Sequence, residues 1–213
     1  MLWCVIMSVV GFMSGSVMFS YFIPKWLFGV DVRDHSADAN PGSTNAVRAV
    51  GLPVGLLCMA LDVFKAAIPI YAAVRLGVSG LYLIPVIVAP SAGHAFSPLL
   101  GFRGGKAVST MFGSMLGIAG ISKSLVSVVL MMVLFRFVIV AAPDALKVIL
   151  GMAGACVLIF FMEPLLSVRI AAAVIGLIVL YKNGKSLNSE PMSLTLLHHA
   201  LVYEDRKIVF RRV

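Results

Sequence analysis

Two short stretches of this chain carry the residue types that hold phosphate. The first is Asn40-Pro-Gly-Ser-Thr-Asn45, with Arg33 upstream and Arg48 downstream. Small residues let backbone N–H groups approach an anion, and guanidinium groups add charge and paired donors. The segment leads into an apolar run. Ser43, Thr44 or Asn45 is therefore placed to cap a helix and aim its N-terminus at a ligand. Taken alone, the string reads more simply as a polar turn with a helix cap. The second stretch is Phe102-Arg-Gly-Gly-Lys106, followed by Ala107, Val108, Ser109 and Thr110. Gly104 and Gly105 offer backbone donors, and Lys106 offers a point charge. The spacing is not that of a Walker A loop, GxxxxGK[ST]. A basic cluster ending a turn is the bland alternative. Two such loops in one chain strengthen each other.

Other polar residues are sparse. Asp62 and Lys65 lie three apart inside an apolar run, which puts them on one helix face. Ionisable residues buried in a membrane are functional candidates; an ion pair that fixes helix packing is the equal competitor. His94 opens the second loop and could be a general base, a phosphate donor or a packing residue. Glu163 and Arg136 sit near the ends of apolar runs, where snorkelling accounts for them. His198 and His199 fall in a polar tail. Cys4, Cys58 and Cys156 all lie in apolar runs, as packing residues. The pattern has no Ser-His-Asp arrangement, no HExxH and no metal-ligand cluster, so no metal and no cofactor is expected.

The elements that position these residues follow from composition. The 213 residues are 61% hydrophobic and 12% charged. Average globular chains are about half apolar and a quarter charged. Seventeen basic and nine acidic residues cannot make a solvated skin for a domain of this size. That excludes a disordered chain, a secreted disulfide scaffold and a cytosolic enzyme. An all-α, polytopic integral membrane protein remains. A bilayer core of about 30 Å needs about 20 apolar residues per helix. The apolar runs then give about seven spans, near 2–22, 46–72, 78–92, 107–122, 124–142, 145–163 and 166–182. Several are short, and five or six full spans stay open. Residues 1–21 lack a basic leader and a cleavage site, and read as a retained first helix. The chain is one membrane domain over 1–213, with loops near 23–45 and 93–106 and a tail from about 183 to 213.

Charge orients it. With seven crossings, one side receives Lys25, Arg33, Arg48, Arg103, Lys106, Lys147, Lys182, Lys185 and the basic end Arg206–Arg212. The other side receives Arg75, Lys123 and Arg169. The positive-inside rule predicts an outside N-terminus and a cytoplasmic C-terminus. The net charge of +8 thus reflects topology, and nucleic acid is not an expected partner. Both phosphate-type loops and the tail then share the cytoplasmic face, where the tail's basic end would lie on anionic lipid.

The ordered combination resembles the bacterial acyl-phosphate:glycerol-3-phosphate acyltransferase family over most of residues 10 to 190. Gly93-His94 through Phe102-Arg-Gly-Gly-Lys106-Ala-Val-Ser-Thr110 is similar to the family's GH…GGK element. Leu61-Asp-Val-Phe-Lys65 with Pro69 resembles its LDxxKG…P element, with Ala66 in place of glycine. Gly29-Val-Asp-Val-Arg33, Asn40 to Asn45 and Arg48 resemble its first motif. The departures are specific. Ala37-Asp38-Ala39-Asn40 stands where the family has GSGN, so the motif serine becomes Asp38, or Ser36 by a local shift. Serines that usually follow Arg136 are missing. The third motif survives as Asn183 and Glu190, with Ser186 where arginine is usual.

The resemblance implies a membrane acyltransferase of phospholipid biosynthesis in the cell inner membrane. Acyl phosphate and glycerol 3-phosphate are the implied substrates, membrane lipid surrounds the enzyme, and lysophosphatidic acid is the product. Lys106, Arg33 and His94 are the implied catalytic residues. Asn40, Ser43, Thr44, Asn45, Arg48, Gly104, Gly105 and Asn183 would bind substrate. The departing phosphate or His94 would accept the proton. A transporter or channel for an anionic solute is the alternative from another class, and a decayed, inactive family member is a third reading. Polar motifs gathered at one face favour the enzyme, and a polar path through the bundle favours transport. Oligomeric state is not encoded in any feature of the sequence.

Overall fold

The computed structural model describes residues 1–35, 39–189, 192–196, 199–204 and 207–212. Ser36, Ala37, Asp38, Glu190 and His198 lie outside the described residues. Nine α-helices form the body: α1 (Leu2–Ser16), α2 (Phe19–Phe28), α3 (Ser43–Val50), α4 (Leu52–Arg75), α5 (Leu83–Ala95), α6 (Val108–Gly117), α7 (Ser124–Val133), α8 (Asp144–Met162) and α9 (Leu166–Gly184) among the described residues. Four stretches are long and apolar enough to cross a membrane: Leu52–Arg75, Gly80–Leu100, Asp144–Met162 and Leu166–Leu187. The pair α1 and α2, bent by 42°, makes a fifth if counted as one span.

The sequence predicts about seven spans, and the difference has local causes. The run at 46–72 divides at Gly51, whose φ of 91° favours glycine, with Pro53 near the start of the next helix, and still gives one span, Leu52–Arg75; the shortfall lies in the next two short runs, at 107–122 and 124–142. The run at 107–122 yields α6, only 10 residues long. That is about 15 Å of helix, half the bilayer core. The run at 124–142 gives apolar helix over Ser124–Val138, its last turn a π turn at Leu134–Val138.

The helical expectation holds for the body, and a small sheet joins it. Strands β1 (Ile139–Ala142), β2 (Met192–Leu196), β3 (His199–Glu204) and β4 (Lys207–Arg212) form an antiparallel sheet in the order β1-β2-β3-β4. Ile139 pairs with Leu196, Met192 with Tyr203, and His199 with Arg212. Val202, Tyr203, Ile208, Val209 and Phe210 are strand-favouring types, so the tail pairs with itself and with β1.

Close backbone contact holds the helices together. A Cβ built on Gly15 would stand 2.1 Å from the Pro90 carbonyl oxygen, and one on Gly93 would stand 2.1 Å from the Phe12 carbonyl oxygen. Small residues permit such approach between membrane helices. Gly93→Ala must push α1 and α5 apart. A loss of about 1–3 kcal/mol is expected, read as a lower melting temperature in detergent; unchanged melting would contradict this packing.

Hydrogen bonds sort the helix ends. The Cys4 thiol donates to the Tyr82 carbonyl at 3.2 Å, tying the start of α1 to the start of α5. Ser122 Oγ donates to Glu163 Oε2 at 2.5 Å, tying the α6–α7 turn to the α8–α9 turn. Lys182 Nζ donates to the Ala95 carbonyl at 2.9 Å, tying the ends of α5 and α9. The buried core between contains Ile70, Ile87, Met111, Met115 and Ile175. Both polar loops leave from the end where Ala95 and Lys182 meet.

Candidate active site

Arg33 is held by its neighbours. The chain leaves α2 through Gly29, whose φ is 69°, and turns through a 3-10 segment at Val32–His35. Arg33 Nε donates to Asp31 Oδ1 at 2.9 Å, and Nη2 donates to Asp31 Oδ2 at 2.6 Å and to the Tyr21 hydroxyl at 3.0 Å. Its guanidinium lies 4.7 Å from the Tyr21 ring centre. The Arg33 hydrogen bonds hold the Asp31 carboxyl well below the usual carboxylate range, against a smaller opposing effect of burial. Asp31 in turn raises the Arg33 pKa further. A depressed carboxyl stabilises the loop above its unfolded pKa of about 3.9, and that contribution is lost only as pH falls through the lower folded value. The loop therefore keeps its shape through the neutral range. Asp31→Asn should release Arg33 and raise substrate KM about fivefold, about 1 kcal/mol, in saturation kinetics; unchanged KM would count against the clamp.

The remainder of the first loop departs from expectation in one respect. None of Ser43, Thr44 and Asn45 caps α3, because Gly42 is the N-cap residue and no side chain bonds the cap. Asn45 instead faces inward and donates from Nδ2 to the Asn40 carbonyl at 2.8 Å. Arg48 Nη1 reaches Asn45 Oδ1 at 3.4 Å. Asn40, Asn45 and Arg48 are thus linked, Ser43 is half-buried, and Thr44 is exposed at the start of the helix.

The second loop is built on His94. The Gly105 N–H donates to the His94 carbonyl at 3.0 Å. A Cβ on Gly104 would stand 2.0 Å from that same oxygen, and one on Gly105 would stand 2.3 Å from His94 Nε2. The glycines are there because the loop lies directly on the histidine. The Gly105 N–H, expected to face phosphate, is turned to the His94 carbonyl in this structure. Lys106 follows, half-buried, and Ala107 at φ 60° turns the chain into α6.

His94 is buried, with Nδ1 3.0 Å from Lys65 Nζ. Lys65 also donates to Asp62 Oδ1 at 2.6 Å and to the Val17 carbonyl at 2.5 Å, while Ser20 Oγ donates to Asp62 Oδ2. An ammonium has only hydrogens to give. Nδ1 must therefore accept, and the ring proton is assigned to Nε2. In this arrangement the Nδ1 lone pair of His94 faces Lys65.

The end of α9 completes the cluster. Lys182 lies on the Ala95 carbonyl, beside Gly104, whose added Cβ would stand 3.0 Å from that oxygen. Asn183 is 1% exposed; its Nδ2 donates to the Val179 carbonyl at 2.8 Å, and its Oδ1 has no hydrogen-bond partner among the described residues. Sequence reasoning missed Lys182, Tyr21 and Asp31 as site residues. A lysine directly before Asn183 at the end of an apolar run was the available signal for the first.

The two loops meet. Leu100 packs on Met18, Tyr21, Val32 and Ala46, and Ser97 Oγ donates to the Ser16 carbonyl at 2.6 Å. The structure thus gathers Arg33, Asn40, Asn45, Gly104, Gly105, Lys106 and Asn183 around one end of the bundle. Arg136 instead pairs with Asp144 at 3.5 Å on an exposed surface.

Comparison with known proteins bears on this cluster. The family profile for glycerol-3-phosphate acyltransferase matches residues 5–189. A glycerol-3-phosphate acyltransferase of Clostridium acetobutylicum is 32% identical over 160 residues, covering 72% of this chain and 80% of that protein. Glycerol-3-phosphate acyltransferase 2 of Thermotoga maritima is 37% identical over 105 residues, covering 49% of this chain and 53% of that protein. The chain spans about half the length of several such curated relatives. The crystal structure of PlsY, an integral membrane glycerol 3-phosphate acyltransferase, in its glycerol 3-phosphate form superposes with a TM-score of 0.77 at 28% identity, covering 87% of this chain and 90% of that one. Its lysophosphatidic acid form gives 0.74 at 26% identity. A profile match along nearly the whole helical body, together with the same fold, means that the chain belongs to the glycerol-3-phosphate acyltransferase family.

Proposed function

We propose that the protein transfers a fatty acyl group from acyl phosphate to the 1-hydroxyl of glycerol 3-phosphate, giving lysophosphatidic acid and inorganic phosphate. The observation that carries this reading is the meeting of two phosphate-type loops and the Lys182–Asn183 turn at one end of an apolar bundle. Both substrates carry a phosphate and one carries a fatty chain, so a basic site at the rim of a membrane body suits them together. Family membership supports the reaction, and the solved relative with glycerol 3-phosphate supports the acceptor.

The chemistry asks little of the side chains. Acyl phosphate is a mixed anhydride and already activated. The acceptor hydroxyl oxygen attacks the carbonyl carbon, the carbon–oxygen bond to phosphate breaks, and phosphate leaves. The departing phosphate takes the hydroxyl proton. Positioning and charge neutralisation then supply the acceleration. Lys106 and Arg33 neutralise phosphate, Asn40, Ser43, Thr44, Asn45 and Arg48 line the first loop, the Gly104 backbone allows close approach, and Asn183 offers its buried oxygen as an acceptor.

The site faces the cytoplasm from the inner membrane, with the N-terminus outside and the C-terminus inside. The short helices α6 and α7 act as an incomplete up-and-down pair, which keeps the parity of seven crossings. The transport reading draws on the Asp62–Lys65 pair. That pair closes on Val17, Ser20 and His94 instead of opening a polar path, which favours the enzyme. Purified protein with acyl phosphate and labelled glycerol 3-phosphate should yield labelled lysophosphatidic acid, and acyl-CoA in place of acyl phosphate should yield none. Equal use of both donors would overturn the donor assignment.

A further inference from the structure

We propose that Lys65 is a positioning residue that anchors both phosphate-binding loops to one point. This inference rests on the acyl-transfer reading of the site. Lys65 lies inside α4, touches no loop residue that would meet substrate, and is 7% exposed. A buried ammonium in a membrane protein is costly and needs its hydrogens satisfied. An internal ion pair with Asp62 would use one of its three N–H groups. The other two go elsewhere, one to each wall of the site.

One goes to the Val17 carbonyl at 2.5 Å. Val17 has extended backbone, φ −73° and ψ 111°, at the break between α1 and α2. A carbonyl taken out of the helical ladder inside a membrane must find a donor. Lys65 supplies it, and this fixes where α2 starts. Ser14 Oγ donating to the Lys65 carbonyl at 2.8 Å and Ser20 Oγ donating to Asp62 bind the same break to α4 from both sides. Helix α2 carries Tyr21, which holds Arg33. The start of α2 therefore sets the place of the first loop's guanidinium.

The remaining N–H goes to His94 Nδ1 at 3.0 Å. That contact fixes the ring, which lies against Gly105, where a Cβ would stand 2.3 Å from Nε2, while the His94 backbone carbonyl accepts from the Gly105 N–H and lies against Gly104. Lys106 is the next residue. One ammonium thus joins Arg33 on one wall to Lys106 on the other, each through two or three contacts. The separation of the two phosphate positions depends on it, so its loss should weaken both substrates at once.

The test replaces both buried charges, Asp62→Asn with Lys65→Met, so that no uncompensated charge is left to unfold the protein. The double variant is expected to keep its melting temperature within a few degrees. Its kcat/KM should fall about a hundredfold, the effect of misplacing reacting groups by about 1 Å, with KM rising for acyl phosphate and for glycerol 3-phosphate together. A fall in kcat with both KM values unchanged, or wild-type activity, would overturn the proposal and leave a packing ion pair. A second measurement needs no variant: nitrogen NMR of the wild-type histidines, with His94 assigned by its loss in His94→Gln. The expected signature is a proton on Nε2 and a hydrogen-bonded, unprotonated Nδ1; a proton on Nδ1 would overturn the anchor. If the wild type makes no lysophosphatidic acid, the acyl-transfer reading fails, and the NMR signature still decides whether Lys65 holds His94.

Discussion

Lys106→Ala is expected to lower kcat/KM by about a hundred- to a thousandfold, the cost of losing one preorganised group from developing charge, while the protein still inserts and folds. The expectation follows from how the lysine is held. Gly104 and Gly105 lie on His94, and Ala107 at φ 60° turns directly into α6. The backbone on both sides of Lys106 is therefore fixed, and no neighbouring lysine can slide into its place. Lys182 is anchored on Ala95, and Arg103 precedes the glycines. Lysophosphatidic acid formation at saturating and limiting substrate would measure the loss. A fall of less than tenfold would remove Lys106 from the phosphate site.

Gly104→Ala should be nearly as damaging, although alanine carries no charge. Its Cβ would stand 2.0 Å from the His94 carbonyl oxygen and 3.0 Å from that of Ala95. Both are backbone atoms of a buried helix end, so the loop and not the helix must yield. A shift of about 1 Å at the loop carries Lys106 with it, and a displacement of that size costs about a hundredfold in rate. Overpacking should also lower stability by about 1–3 kcal/mol. Gly101→Ala is the control. Unlike Gly104 it has positive φ, 58°, and nothing lies within 4 Å of its Cβ, so it should cost only about 1–2 kcal/mol of backbone strain and leave KM unchanged. Equal kinetic effects of the two variants would mean that the close approach at Gly104 does not matter.

What the sequence made legible was chemistry carried by neighbours in the chain. Arg33, Asn40 to Arg48 and Gly104 to Lys106 stand out by type and spacing, and the structure brings both groups to one end of the bundle. The Asp62–Lys65 spacing correctly put the pair on one helix face. The use of that pair was illegible, because Lys65 reaches His94 and Val17 across 29 and 48 residues, and no periodicity reports such a contact. The helix break at Val17 was hidden for a related reason: hydropathy is blind to a carbonyl supported by a distant ammonium. Capping at Ser43 failed because Gly42 took the cap position, leaving Asn45 to bond Asn40. Of the seven apolar runs, those at 107–122 and 124–142 give helices shorter than a full span, because α6 ends at Gly117 and the next helix ends at Val138, and hydropathy does not register where a helix stops. The tail was read by its basic end, and its short runs Leu201-Val-Tyr203 and Ile208-Val-Phe210 were the neglected sign of strands.

The most direct measurement is the stoichiometry of the reaction in one vessel. Purified protein, acyl phosphate and labelled glycerol 3-phosphate should release inorganic phosphate and form lysophosphatidic acid in a one-to-one ratio, and neither should appear at a comparable rate when glycerol 3-phosphate is left out. Phosphate release without matching lysophosphatidic acid, or no product from folded protein, would contradict acyl transfer at the site formed by these two loops.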